Sequence, residues 1–214
     1  MAGIKNIARF EAEWDKFNSE DEYQQFSDKW ISECYRVLKP KGNIFVHSIL
    51  SGEWTGLPNV VSSLKKNKFK MLNMINWCKP NGQPNLAGVR FAFCSEQILW
   101  ACKETDEGKR TFNYKRLKIL NNGKQMRDFW IIPTEPSQYE HPSPKPVKLI
   151  KIIIEAGSNE NDLVLDCFMG TGTTAIASIM LNRNYIGCDN NPEYIKICQK
   201  RINGLPNTKL EQFI

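Results

Sequence analysis

The sequence predicts an α/β fold built on a mostly parallel sheet, and three observations carry that reading. The first is an apolar run bounded by turn residues at 43–50. The second is a strand-helix-strand-helix alternation between 163 and 202. The third is a glycine-rich turn, Gly170-Thr171-Gly172, placed where the strand of that alternation gives way to its helix. Alternating strands and helices favour parallel pairing because each crossover helix must bury its apolar stripe against a sheet face.

Taken in order, Phe26, Trp30, Ile31, Cys34, Val37 and Leu38 recur at helical intervals over 23–38, and Lys39-Pro40-Lys41-Gly42 ends the pattern in a turn. The run 43–50 reads as a parallel strand buried on both faces. A helix is predicted over 57–66, with strands over 69–77 and around 93–101. Between 109 and 127 the chain carries Lys109, Arg110, Lys115, Arg116, Lys118, Lys124 and Arg127 with no acidic residue, and its periodicity fades, which predicts an inserted basic loop. Pro142, Pro144 and Pro146 lead into a helix over 147–156, a placement proline tolerates because the amide it lacks would be unpaired there. Strands are predicted at 163–166 and 185–189, and helices at 173–181 and 192–202.

The 214 residues suffice for one core of ordinary size, so one domain over 1–214 with an insertion at 103–140 is expected. A hydrophobic share of 41% and a charged share of 24% are those of a globular protein, and no apolar run reaches the length of a membrane span. The opening Met1-Ala2-Gly3-Ile4-Lys5 starts no secretory h-region, so a cytoplasmic setting is expected. Seven cysteines with no C-x-x-C pair argue for reduced thiols and against a disulfide framework or a thiolate metal site. A formal charge of +6 leans towards a polyanionic partner.

The turn Asp166-Cys167-Phe168-Met169-Gly170-Thr171-Gly172-Thr173-Thr174-Ala175 also fits the dinucleotide fingerprint, with Ala175 as its third small residue. Asp189, nineteen positions beyond Gly170, is placed to accept hydrogen bonds from two adjacent ribose hydroxyls. At this level a nicotinamide, a flavin and any other adenosyl cofactor remain open.

Adding His141-Pro142-Ser143-Pro144-Lys145-Pro146 to that turn produces a pair of motifs that resembles those of the S-adenosylmethionine-dependent DNA amino-methyltransferases. Ile186 to Tyr194 and Gln199-Lys200-Arg201-Ile202 resemble the same family's closing segment. The resemblance implies a Rossmann-like methyltransferase fold whose cofactor-binding half is 141–202. It implies that the Lys145 segment lies beside the cofactor's methionine end, that the glycine turn wraps the methionine, and that Asp189 takes the ribose. The implied cofactor-binding set is Lys145, Asp166, Phe168, Gly170, Thr171, Gly172, Thr173, Thr174, Asp189 and Asn190. No metal is implied, and a dinucleotide oxidoreductase is disfavoured by the 141–146 segment.

With the cofactor motifs C-terminal, the motif order resembles the family's β group. That order implies a catalytic tetrapeptide, Asp/Ser/Asn-Pro-Pro-aromatic, ahead of the first helix, and this sequence contains none. No catalytic residue is therefore assigned. Asn191-Pro192-Glu193-Tyr194 comes after the ribose acid and has Glu for the second Pro, so it is rejected as that motif. Glu13-Trp14-Asp15-Lys16-Phe17 and the helix and strand to Leu50 do resemble the stretch found just after the tetrapeptide in family members. One central strand, expected beside Val164, is then missing. Two accounts fit: a shortened version of an enzyme, or a natural remnant that needs a partner. The first is favoured, because a protein evolved to work alone would rarely leave mid-sheet backbone groups unpaired.

By the same resemblance the 103–140 insertion is a target-recognition segment. Lys109, Arg110, Lys115, Arg116, Lys124 and Arg127 are its candidate DNA contacts, interleaved with Phe112 and Tyr114. Trp77-Cys78-Lys79-Pro80 resembles a family segment near the target base, although Trp77 reads equally well as a core residue. The expectation is methylation of the exocyclic amine of adenine in double-stranded DNA. Cytosine amino-methylation and a catalytically incomplete subunit are the alternatives, with a homodimer or a complementing subunit as a possible partner.

Overall fold

The computed structural model describes residues 17–49, 56–82, 85, 88–89, 91–106, 108–135 and 144–206. Glu13 to Lys16 and His141 to Ser143, on which part of the sequence reading rests, lie outside the described residues.

Helix α1 (Glu20–Val37) begins at Ser19, whose side chain accepts from the Glu22 amide at 3.1 Å, while Glu22 Oε2 accepts from the Asn18 amide at 2.8 Å. The Ser19 cap satisfies an amide that the first turn leaves without a helical partner, the Glu22 side chain reaches back to the residue before the cap, and the acids Glu20, Asp21 and Glu22 suit the positive end of the helix dipole. A turn with Lys41 at φ 58° leads into β1 (Asn43–Ser48), followed by α2 (Gly56–Lys66), β2 (Phe69–Cys78) and β3 (Ser95–Lys103). After β3 come α3 (Tyr114–Leu120) and the short β4 (Phe129–Ile131). The C-terminal part runs α4 (Val147–Gly157), β5 (Leu163–Asp166), α5 (Thr173–Met180), β6 (Asn184–Gly187) and α6 (Pro192–Asn203).

Four strands form one sheet in the order β1-β3-β2-β4. Only β3 runs against the others in it, antiparallel to both β1 and β2, while β4 lies parallel to β2. The expectation of a parallel pairing for the 43–50 strand is thus corrected: its one partner among the described residues is antiparallel β3. Side chains alternate between faces as a strand requires. Val46, Leu99 and Ala101 meet Ile31 of α1 and Val60 and Leu64 of α2 on one face. Ile98, Trp100, Ile75, Trp77 and Trp130 pack with Leu149 of α4 on the other. Three layers result, with α1 and α2 against one side and α4 against the opposite side.

β5 and β6 pair in parallel as a separate sheet of two strands. Among the described residues β5 has no partner on its other edge, and neither does β1. Leu163 and Leu165 are 55% and 45% exposed, an unusual state for leucines in a strand.

The basic stretch is not the featureless loop its fading periodicity suggested. Leu117 is 3% exposed and anchors α3, and Asn113 Nδ2 donates to the carbonyls of Glu155 (3.0 Å) and Ser158 (2.8 Å) at the end of α4. No helix among the described residues is long and apolar enough to cross a membrane.

Candidate cofactor and target site

Asp166 closes β5, and its carboxylate accepts from the Phe168 amide at 3.0 Å and the Thr174 hydroxyl at 2.5 Å. Asp189, just beyond neighbouring β6, accepts from the Gly170 amide at 2.7 Å and the Asn191 amide at 2.9 Å. Two carboxylates at the carboxyl ends of adjacent parallel strands therefore grip one turn. Backbone bonds stitch the turn further, from the Met169 amide to the Cys188 carbonyl and from the Cys188 amide to the Asp166 carbonyl, each at 2.9 Å.

Gly170 (φ 53°) and Gly172 (φ 85°) occupy the left-handed region that side chains disfavour. A Cβ at Gly172 would also run into the Cys198 sulfur of α6. That close approach is why α6 can lie against the turn.

Thr171 and Thr173 are 3% and 7% exposed, and Arg201 of α6 donates to the Thr171 carbonyl at 2.7 Å, the Thr171 hydroxyl at 3.1 Å and the Thr173 hydroxyl at 3.4 Å. Their side chains face the protein, so whatever they lend to a ligand comes through the backbone. Arg201 stood in the sequence only as part of the closing segment, with no role of its own, because a basic residue late in a helix ordinarily signals only a favourable dipole contact. Phe168 points the other way, 55% exposed, with its ring edge-on to Trp30 at 5.4 Å between centroids. The sulfurs of Cys34 and Cys167 lie 3.9 Å apart and join α1 to the same turn. The contact with Cys167 draws the Cys34 thiol below its usual range, while the contact with Cys34 and then burial push Cys167 up.

Lys145 is placed differently from the rest of the implied set. Its Nζ donates to Glu96 Oε2 at 3.0 Å. Lys79 Nζ donates to Glu96 Oε1 at 2.7 Å, and His47 Nε2 comes within 2.6 Å of Glu96 Oε2 without the alignment of a hydrogen bond. Burial alone would raise the Glu96 carboxyl, but the approach of His47 and the charges of Lys145 and Lys79 hold it well below the ordinary carboxylate range. Trp77 is 1% exposed and its indole donates to the Ile132 carbonyl at 2.7 Å, which makes it a core residue. Asn191, of the rejected Asn-Pro-Glu-Tyr segment, caps α6 by accepting from the Glu193 amide at 3.0 Å.

Of the basic candidates, Arg116 pairs with the buried Glu155 at 3.0 Å and Arg110 lies over the Trp100 ring at 5.4 Å. Lys109, Lys115, Lys124 and Arg127 are exposed.

A protein-family model described as DNA methylase, of the N6/N4 type, matches residues 4–200. The chain belongs to this DNA methylase family. Among curated relatives of this DNA methylase, the type II methyltransferase M2.LlaDCHI of Lactococcus lactis subsp. cremoris is 39% identical over 206 residues, covering 94% of this chain and 75% of the relative. The type II methyltransferase M2.DpnII of Streptococcus pneumoniae is 39% identical over 205 residues with the same shares. Among solved structures, the M1.HpyAVI-SAM complex superposes with a TM-score of 0.69 at 30% identity, covering 82% of this chain and 81% of that one. The cytosine-N4-specific PvuII DNA methyltransferase reaches a TM-score of 0.72 at 20% identity over 90% of this chain and 76% of its own, a likeness of fold alone.

Proposed function

We propose that this DNA methylase binds S-adenosylmethionine at the turn after β5 and serves methyl transfer to the exocyclic amine of adenine in double-stranded DNA. The observation that supports it best is the turn gripped by Asp166 and Asp189. Each Asp189 oxygen accepts one amide, and a carboxylate oxygen has capacity for a second bond, so the group can still take two adjacent ribose hydroxyls. Phe168 presents an exposed ring as an apolar wall beside that acid-lined turn. When bound, the cofactor supplies an electrophilic methyl group on a sulfonium.

The chain's own residues then bind and orient. An adenine amine shares its lone pair with the ring, so transfer needs acceptors for its hydrogens and an in-line approach. The sequence holds no tetrapeptide to supply those acceptors, and none of the described side chains is assigned that role. Adenine is favoured over cytosine because the cytosine-N4-specific likeness, at 20% identity, is one of fold alone. The exposed Lys109, Lys115, Lys124 and Arg127 are the side chains offered to DNA phosphates.

Calorimetric titration with S-adenosylhomocysteine and with NAD tests the cofactor class: tight binding of the first and none of the second is expected, and preference for NAD overturns the reading. Nucleoside analysis of DNA methylated by an enzyme carrying this chain together with a tetrapeptide-bearing segment distinguishes N6-methyladenine from N4-methylcytosine. Among the described residues neither β1 nor β5 has a partner on its open edge, which favours a second reading, in which a complementing polypeptide supplies a strand there. Restoration of methyl transfer on mixing with such a polypeptide is the outcome that reading requires.

A further inference from the structure

Helix α4 packs on the four-stranded sheet and is tied to it at both ends. At its C-terminal end, Asn43 at the start of β1 donates from Nδ2 to the Gly157 carbonyl at 2.9 Å. At its entrance, Lys145 reaches Glu96, which faces Trp77 across β2 and β3 and lies against His47 near the end of β1. α4 therefore runs antiparallel along β1, a match of length since eleven helical residues and a strand of six each span about 16–20 Å.

The short 158–162 connection sends the chain from the end of α4 into β5. The start of α4 consequently lies on the side where β5 ends and the Gly170–Gly172 turn begins. The Lys145–Glu96 pair thus sets the carboxyl end of β5 and the carboxyl ends of β1 and β2 towards one common side.

A buried carboxylate is costly unless charged donors surround it, and here two ammonium groups share it, both within 6 Å of the Trp77 ring centre. We propose that Glu96 is a positioning residue for the cofactor site, holding Lys145 and with it the entrance of α4 in register with the glycine turn. The proposal rests on the reading that this turn binds the S-adenosyl ligand. It acts through Lys145 and involves no contact between Glu96 and ligand. The sequence signal was an acid opening the apolar strand Gln97-Ile98-Leu99-Trp100, with two lysines elsewhere each preceding a proline.

The test is a double-mutant cycle on the full chain, titrated calorimetrically with S-adenosylhomocysteine. E96Q and K145Q are each expected to weaken binding at least tenfold, the scale of a lost charged hydrogen bond, and the double variant no further than either alone. E96D is expected to recover part of the loss. In the same proteins, NMR titration of the His47 imidazole, one of two histidines, should show it falling in E96Q and rising in K145Q. Multiplied losses in the double variant, or an unchanged E96Q beside a weakened D189A, overturn the proposal. If D189A leaves ligand binding unchanged, the cofactor reading itself fails. Should E96Q not fold, the cycle is run with E96D in its place, and an E96D loss that multiplies with K145Q is equally fatal.

Discussion

Asp189 holds the amide of Gly170 at 2.7 Å, so the acid expected to receive a ribose also fixes the turn that would wrap the rest of the cofactor. The two duties are compatible because the Gly170 and Asn191 amides occupy one acceptor position on each oxygen.

D189A is therefore expected to weaken S-adenosylhomocysteine more than loss of the ribose contacts alone would, by about two orders of magnitude for several hydrogen bonds to a charged group. D189N, which keeps one acceptor, should fall in between. Calorimetric affinities check the order, and equal affinities for wild type and D189A would remove Asp189 from the site.

G172A combines a left-handed backbone with a clash against Cys198. The backbone strain alone costs about 1–3 kcal/mol, so urea unfolding should show at least that loss. A G172A/C198A double variant should recover the part of the clash due to the sulfur, while the contact with the Cβ of residue 198, at 2.9 Å, and the conformational part remain.

Arg116 and the pair Lys124 and Arg127 should separate. R116A leaves the buried Glu155 carboxylate without its partner and is expected to lower stability by about 3 kcal/mol or somewhat less, given the partly exposed arginine. K124A/R127A should leave stability nearly unchanged but reduce the salt dependence of DNA binding by a slope of about 2, one unit for each phosphate contact. A salt slope equal to that of wild type would exclude Lys124 and Arg127 from the interface.

Acid sensitivity should come in two stages. Burial holds the His47 imidazole below its ordinary 6.5, so as the pH falls past that value the unfolded chain takes a proton the folded one refuses, and stability drops. Glu96 is held below its ordinary 4.5, so its contribution, fully present above that value, is lost as the pH falls further. Urea midpoints followed from pH 8 down to about pH 2 should show both stages in the wild type, and H47Q should lack the upper one. H141Q serves as the control for the other histidine.

The 214-residue chain alone is expected to transfer little tritiated methyl to DNA, since the sequence supplies no tetrapeptide to activate the amine. Robust turnover of the purified chain, with no partner added, would refute the importance given to that motif.

The helices and the turn after β5 were readable along the chain because each is a local pattern: helical intervals in α1, a proline entrance to α4, glycines between strand and helix. The sequence by itself determined the α/β class, the order of the elements outside the 103–140 insertion, and the motif set from Lys145 to Asp189. Pairing was decided only in three dimensions. That β1 meets an antiparallel β3 depends on which strand returns beside it, since an apolar run looks alike in either direction. That Arg116 belongs to Glu155, Arg201 to the glycine turn and Lys145 to Glu96 depends on partners 39, 30 and 49 positions away. A charged side chain in the sequence does not say whether it will meet water, a ligand or a buried counter-charge; the packing of α4 and α6 against their neighbours decides that.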